Sequence, residues 1–84
     1  MNNTTECISI IGAGSFGSAM TLVLANSSPK ITIKIWARRQ EITNEINQSR
    51  TNKQYLPKNS RKFPKNVVAT SDIKVALSYS NIIF

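Results

Sequence analysis

The stretch that decides the fold lies near the start of the chain and reads Cys7-Ile8-Ser9-Ile10-Ile11-Gly12-Ala13-Gly14-Ser15-Phe16-Gly17. Its first five residues are mostly β-branched and apolar, which predicts a buried strand that ends at Gly12. The rest of the stretch fits G-x-G-x-x-G and contains all 3 glycines of the 84-residue chain. That pattern is typical of a dinucleotide-binding turn when a strand precedes it and a helix follows it.

Each glycine of this turn has a separate predicted role. Gly12 permits the tight turn, the missing Cβ of Gly14 lets a pyrophosphate approach the backbone, and Gly17 lets the helix pack closely on the sheet. The start of the helix offers free N–H groups and a positive dipole end to the anion. Ser15 would add a hydroxyl donor, and Phe16 would form a wall of the pocket. A strand-to-helix turn that holds no ligand is the alternative interpretation.

An apolar stripe follows the turn and predicts an amphipathic helix. Its members recur at spacings of three and four residues, which places them on one helix face: Phe16, Ala19, Met20, Val23 and Leu24. Residues 26–29, Asn-Ser-Ser-Pro, are helix breakers and end the pattern.

The remaining residues alternate between strand and helix patterns. Strands are predicted at 31–36, 67–69 and 81–84, and helices at 41–48 and from the expected N-cap Ser71 to about Leu77. The order β-α-β-α-β-α-β predicts an α/β fold, a Rossmann-type parallel sheet of about four strands with crossover helices. Because the chain stops within the last strand pattern, we expect a truncated domain. Residues 1–84 would be part of an N-terminal dinucleotide-binding domain, without the C-terminal substrate-binding domain.

The end of the second strand indicates the type of cofactor. In an NAD-binding turn, an Asp or Glu at this place binds the ribose 2′-hydroxyl. Here the strand ends in Trp36-Ala37-Arg38-Arg39, and Glu41 follows too late. Two adjacent guanidinium groups suit a 2′-phosphate, which predicts NADP(H) rather than NAD(H). Alternatively, both arginines are solvated surface charges.

Composition excludes several classes of site and leaves one alternative class of partner open. The chain has no His and 1 Cys, so zinc sites, His-based triads and internal disulfides are excluded, and Cys7 is expected to be a buried apolar residue. The net charge of 11 − 4 = +7 favours anionic partners. A basic nucleic-acid-binding module is an alternative, but no recognised binding motif supports it. The uncharged stretch 8–25 lacks the basic flank of a signal peptide and contains three glycines, so no membrane segment is expected.

Three segments resemble the bacterial NAD(P)-dependent glycerol-3-phosphate dehydrogenases. Residues 8–19 are similar to that family's Gly-Ala-Gly-Ser-aromatic-Gly start. Residues 50–57, Arg-Thr-Asn-Lys-Gln-Tyr-Leu-Pro, resemble its Arg-x-Asn-x-x-Tyr-Leu-Pro segment. Residues 63–73 resemble its Leu-Pro-x-Asn-Leu-x-Ala-Thr-x-Asp-Leu stretch, with Phe63 in place of the common Leu.

The single Cys favours a reducing, cytoplasmic setting. The resemblance implies an enzyme that uses NADPH or NADH to reduce dihydroxyacetone phosphate to sn-glycerol 3-phosphate, the precursor of phospholipids. It places Ser15 and Phe16 at the cofactor diphosphate, Arg38 and Arg39 at the adenosine end, and Tyr55 near the cofactor. The family's catalytic lysine and substrate-phosphate ligands would lie beyond residue 84. No residue of this chain is therefore expected to be catalytic, and no metal site is expected.

Two further alternatives to this assignment stay open. The chain resembles, less well, the first part of another Rossmann reductase, such as a ketopantoate reductase or a hydroxyacid dehydrogenase, which the Tyr-Leu-Pro segment argues against. Alternatively, the chain is a truncated remnant of a dehydrogenase and has no activity by itself. An incomplete sheet would also expose an apolar edge near Ile82-Ile83-Phe84, which favours association with a partner.

Overall fold

A computed structural model describes residues 6–84 as four strands and three helices. The strands are β1 (Cys7–Ile11), β2 (Thr32–Trp36), β3 (Val67–Thr70) and β4 (Ile82–Ile83). The helices are α1 (Ser15–Ser27), α2 (Gln40–Ser49) and α3 (Ile73–Leu77). All strand pairs are parallel, in the order β3-β2-β1-β4. The predicted α/β fold with a Rossmann-type sheet is confirmed.

The main core lies between the sheet and the two longer helices. Right-handed crossovers place α1 and α2 on one face, while the return from β3 to β4 carries α3 across the other. The strand register aligns the apolar side chains in rows across that first face, with Ile8 beside Ile33 and Ile10 beside Ile35. Ile42 and Ile46 of α2 pack against these rows.

Helix α1 buries a different face from the one that its apolar stripe predicts. Its buried residues are Ser18, Thr21 and Ala25, whereas Phe16 and Val23 are 77% and 64% exposed. The prediction of the buried face was therefore wrong. The physical reason is the close approach at Gly17: small residues at 17, 21 and 25 bring the helix onto the sheet. Phe16 and Val23 then point outward, while Met20, Leu22 and Leu24 pack against the core from the sides of the helix.

Helix α3 packs on a polar strip of the sheet. The buried Ser9 hydroxyl donates to the carbonyl of Ala76 and contacts the hydroxyl of Ser80. The Lys34 ammonium donates to the Val75 carbonyl at 3.1 Å and to the Ser78 carbonyl. A cation on the last carbonyls of a helix opposes its negative dipole end, so Lys34 is a structural charge here.

The N-cap of α3 is Asp72, one residue later than predicted. Its carboxylate accepts from the backbone N–H of Lys74 at 2.9 Å. The Ser71 hydroxyl donates instead to the side-chain oxygen of Gln40 at 2.5 Å. The prediction of Ser71 as the N-cap was therefore wrong, because a contact with α2 engages its hydroxyl.

The two edges of the sheet differ. At the β3 edge, the Asn47 side chain pairs with both backbone groups of Ala69, at 2.9 and 2.8 Å. The Arg50 guanidinium donates to the carbonyl of Val67 at 2.6 Å. Side chains thus occupy the outward backbone groups of β3, a common protection against strand addition. At the β4 edge, three apolar residues are about half exposed: Ile82, Ile83 and Phe84.

Candidate functional site

The glycine turn leaves the sheet where the strand order reverses. The amide of Gly12 donates to the carbonyl of Trp36 at 3.0 Å, and that of Ile11 donates to the carbonyl of Phe84 at 2.8 Å. The carboxyl end of β1 therefore lies between β2 and the chain that follows β4. In open α/β sheets, ligands bind in the crevice outside the strand ends at such a switch point.

The backbone geometry confirms the structural roles predicted for Gly12 and Gly17. Gly12 has φ of 127°, a conformation that other residues rarely adopt. A Cβ atom on Gly17 would lie 2.0 Å from the carbonyl oxygen of Gly12 and 3.3 Å from the Cγ2 atom of Ile10. A side chain at either position is therefore incompatible with this turn.

Gly14 is in a different environment. A Cβ atom on this residue would meet nothing within 4 Å, so the space above its backbone is open. Gly14 is also the N-cap of α1, and it offers no side chain to the amides of the first turn. No acidic residue lies in that turn, and Ser15 and Phe16 are exposed. The positive end of α1 is therefore accessible to an anion.

A cleft of about 290 Å³ begins beside this turn. Four of the eight residues predicted for the site line it: Gly14, Arg38, Arg39 and Tyr55. Ala13, Ala37 and Ile42 complete the lining. The other four predicted residues, Gly12, Ser15, Phe16 and Gly17, belong to the adjoining turn and first helical turn and do not line the cleft.

The structure brings the basic pair to the place where an acid would bind a ribose hydroxyl. Ala37 donates its amide to the carbonyl of Thr70 at 2.9 Å, which holds the end of β2 against β3. Arg38 and Arg39 follow at once and are exposed, and Arg39 is the N-cap of α2. The mouth of the cleft therefore carries two guanidinium groups, which bind phosphate through planar pairs of hydrogen bonds.

Ile42 and Ala37 give the cleft apolar walls that the sequence analysis did not assign to the site. Ile42 is 9% exposed and packs in the core beneath the cleft. Its position three residues after Arg39 is a usable signal, because one helical turn brings it to the same side as the basic pair. A flat, apolar ring such as adenine fits walls of this kind.

Tyr55 reaches the cleft from the loop after α2. Its amide and that of Leu56 donate to the carbonyl of Asn52, at 3.1 and 2.9 Å. The carboxylate of Glu45 accepts from the Thr51 hydroxyl at 2.6 Å and from the Lys53 amide at 2.9 Å. The predicted loop 49–66 is therefore irregular but anchored.

The cleft fits part of a dinucleotide rather than the whole molecule. Its volume is at the lower end of ligand pockets, which hold about 300–1,000 Å³. The open backbone at Gly14 suits a diphosphate, the apolar walls suit a nucleoside base, and the arginines suit a further phosphate. The adenosine half of a phosphorylated dinucleotide combines these three groups.

A larger cavity of about 460 Å³ lies elsewhere in the loop, between residues 51 and 61. It contains neither the glycine turn nor the arginine pair, so we do not assign the cofactor to it. Within residues 6–84, no helix combines the length and apolar character needed to cross a membrane. In the same part of the chain, no three His, Cys, Asp or Glu side chains form a group that could hold a metal ion. Cys7 is buried in β1.

Comparison with known proteins gives a family match over residues 7–84, to the model described as NAD-dependent glycerol-3-phosphate dehydrogenase N-terminus. A glycerol-3-phosphate dehydrogenase, NAD(P)+, from Corynebacterium kroppenstedtii is 42% identical over 76 residues, which are 90% of this chain and 22% of that protein. Its counterpart in Geobacillus thermodenitrificans is 37% identical over 78 residues, 93% of this chain and 22% of that protein. The chain thus spans about a fifth of the length of these relatives.

Two solved structures have the same fold. The glycerol-3-phosphate dehydrogenase of Coxiella burnetii superposes with a TM-score of 0.80 at 32% identity, over 94% of this chain and 23% of that one. The enzyme of Plasmodium falciparum superposes with a TM-score of 0.78 at 26% identity, over 96% of this chain and 24% of that one.

Proposed function

The chain belongs to the family described as NAD-dependent glycerol-3-phosphate dehydrogenase N-terminus, and we propose that it is the cofactor-binding segment of a glycerol-3-phosphate dehydrogenase. The complete enzyme would reduce dihydroxyacetone phosphate to sn-glycerol 3-phosphate in the cytoplasm. One observation carries this proposal: one cleft at the carboxyl end of the sheet is lined by Gly14, the pair Arg38-Arg39 and Tyr55, which come from three separate parts of the sequence.

The residues around the cleft would share the binding of the cofactor. The amides at the start of α1, with the Ser15 hydroxyl, would hold the diphosphate over Gly14. Phe16, whose side chain is exposed beside this turn, would cover the diphosphate from outside. Gly12 and Gly17 would act through the backbone, since they set the shape of the turn. Tyr55 and Ile42 would enclose the adenine ring.

The preferred cofactor would be NADP(H). Arg38 and Arg39 lie just after the end of β2, where an acidic residue would repel a 2′-phosphate and bind a ribose hydroxyl instead. Both side chains are exposed at the mouth of the cleft, so a 2′-phosphate could reach them without a change of the backbone. Glu41, in the first turn of α2, is exposed and does not line the cleft.

When bound, the dinucleotide supplies the hydride for reduction of a carbonyl group. The residues described here would bind and orient its adenosine and diphosphate, and we assign none of them to the reaction itself. Substrate binding and catalysis would belong to the part of the relatives that this chain does not span. Residues 1–84 would accordingly form the first part of the dinucleotide-binding domain.

The β4 edge is the place where additional strands, or a partner protein, would associate with this sheet. At the β3 edge, Asn47 and Arg50 occupy the outward backbone groups, as described above. At the β4 edge, Ile82, Ile83 and Phe84 are about half exposed, and added strands or a partner would bury them.

Cofactor affinity tests the proposal. Trp36, the single tryptophan, does not line the cleft, and its indole N–H donates to the carbonyl of Ser71 at 3.1 Å, so binding is followed by the fluorescence of the reduced nicotinamide dinucleotide itself. Titration of the 84-residue chain is expected to give saturable binding of NADPH, about tenfold tighter than that of NADH. Tighter binding of NADH than of NADPH would contradict the NADP(H) preference. If neither dinucleotide shows saturable binding, the proposed function is wrong.

A further inference from the structure

Asn52 lies beneath the glycine turn although it is 39 residues away from it in the sequence. It is 1% exposed, and its amide nitrogen donates to the carbonyl of Ala13 and to the hydroxyl of Ser18, both at 2.9 Å. The Ser18 hydroxyl in turn donates to the same carbonyl at 3.2 Å. These three groups form a closed, buried hydrogen-bonded triangle between the loop after α2 and the glycine turn.

The orientation of the Asn52 amide follows from the chemistry of its partner. The carbonyl of Ala13 can only accept, so the nitrogen of the Asn52 side chain must face it. The side-chain oxygen is then left buried without a partner among residues 6–84. That unsatisfied acceptor opposes folding, and the two buried bonds that the amide nitrogen donates offset its cost. The Asn52 amide supplies the turn with a hydrogen-bond donor that an apolar side chain would lack.

Asn52 also fixes the opposite wall of the cleft. Its backbone carbonyl accepts from the amides of Tyr55 and Leu56, which starts the turn that carries Tyr55 to the cleft. Asn52 itself does not line the cleft, so it would not touch a ligand there. A single buried residue therefore connects two walls, the Ala13–Gly14 backbone and the Tyr55 ring.

We propose that Asn52 is a positioning residue that holds the glycine turn and Tyr55 in their binding geometry before the dinucleotide arrives. This inference rests on the proposed function, since it assumes that the cleft binds the cofactor. Its physical basis is preorganisation: a turn that is already ordered loses less conformational freedom on binding. Without the Asn52 amide, the ligand itself would have to order the turn.

The chain offers a matched control in Asn66. Its side-chain nitrogen likewise donates to backbone carbonyls, those of Ala25, Ser28 and Ile31, at 3.2, 3.3 and 2.8 Å. These bonds connect the end of α1 to the start of β2 and do not involve the cleft. Asn66→Ala would therefore remove comparable bonds and lower stability without disturbing the turn.

The test compares NADPH affinity in the 84-residue chain with Asn52→Ala and Asn66→Ala, under conditions where circular dichroism shows each variant to be folded. We expect Asn52→Ala to weaken binding about tenfold and Asn66→Ala to leave it unchanged. In the ligand-free protein, NMR should show shifted amide signals of Gly14 and Tyr55 in Asn52→Ala only. If Asn52→Ala does not fold, Ser18→Ala is used, with an expected loss of about threefold and the same change at Gly14.

The outcomes separate this inference from the proposed function. If the unaltered chain binds NADPH and Asn52→Ala binds it equally well, the inference alone is wrong. An equal loss in Asn66→Ala would also overturn it, because general destabilisation would then explain the effect. If Asn52→Ala does not fold and Ser18→Ala is measured in its place, an NADPH affinity of Ser18→Ala equal to that of the unaltered chain overturns the inference. If the unaltered chain binds neither NADPH nor NADH, the proposed function is wrong and the inference falls with it.

Discussion

The first turn of helix α1 lies so close to the end of strand β1 that a Cβ atom on Gly17 would be 2.0 Å from the carbonyl oxygen of Gly12. That contact fixes how near the helix lies to the sheet and which face it buries. It also directs the start of α1 along the end of β1, where Gly14 is open to solvent. The shape of the cleft therefore depends on a contact between two backbones.

Gly17→Ala should destabilise the fold. The added methyl group meets a carbonyl that cannot move without displacing the turn, and overpacking of this kind costs about 1–3 kcal/mol. The free energy of unfolding, measured by urea denaturation, should fall by that amount. Val23→Ala is the control, since Val23 lies on the same helix but points to solvent. An equal loss of unfolding free energy in Gly17→Ala and Val23→Ala would contradict the structural role of the Gly17 contact.

Gly14→Val should weaken binding and spare the fold. The Cβ position is free, and the backbone at Gly14 is extended, with φ of −78°, so the substitution introduces no strain. The side chain would occupy the space assigned to the diphosphate, and the Kd for NADPH should rise at least about tenfold. Fluorescence titration and urea denaturation measure the two effects. Intact affinity in a folded Gly14→Val protein would refute the role given to this glycine.

Arg38→Ala and Arg39→Ala should each remove the preference for NADPH. The lost guanidinium would weaken NADPH binding by roughly tenfold, while NADH, which lacks the 2′-phosphate, should bind about as before. Titrations with both cofactors at fixed ionic strength measure this. Arg61→Ala is the matched control, because Arg61 is exposed and lines the larger cavity instead. Equal losses for both cofactors would show that the arginines attract any anion.

Asp72→Ala should lower the free energy of unfolding by about 1 kcal/mol, the usual effect of an N-cap. The carboxylate is the group that accepts from the Lys74 amide. Ser71→Ala should have a smaller effect, because Ser71 contributes an exposed bond to Gln40 and does not cap the helix. Urea denaturation of both variants measures the difference. A larger loss from Ser71→Ala would restore Ser71 as the cap.

Ile83→Lys should reduce self-association of the chain. A charge on the open edge disfavours strand addition, whereas the β3 edge is already occupied by Asn47 and Arg50. Val68→Lys is the control: both residues are about half exposed, but Val68 lies on β3. Sedimentation velocity over a range of concentrations measures the association. If Val68→Lys reduces it as much, the two edges do not differ.

The sequence predicts the strands, the order of elements and the glycine turn because these depend on local patterns. The strand at 7–11 and the turn at Gly12 need only neighbouring residues for their recognition. The buried face of α1 was predicted wrongly because hydrophobic spacing records the size of side chains, while Gly17 sets the packing through a backbone contact. The choice between Asp72 and Ser71 likewise depended on Gln40, which is distant in sequence.

The same distinction applies to the candidate site. Gly14, Arg38 and Arg39 follow from motif and position, and Tyr55 follows from the family resemblance. Ile42 and Asn52 were not predicted for the site, because their places depend on how the loop after α2 folds back on the turn. The bond from Asn52 to Ala13 joins residues 39 positions apart, and no local pattern indicates it.

We propose that the cleft beside the glycine turn holds the adenosine and diphosphate of NADP(H). Mapping of backbone amide shifts by NMR during titration with NADPH tests it most directly. We expect saturable shifts at Gly14, Ser15, Arg38, Arg39 and Tyr55, and none at Lys58 or Arg61 in the larger cavity. Shifts confined to that cavity, or their absence at Gly14 and Arg39, would contradict it.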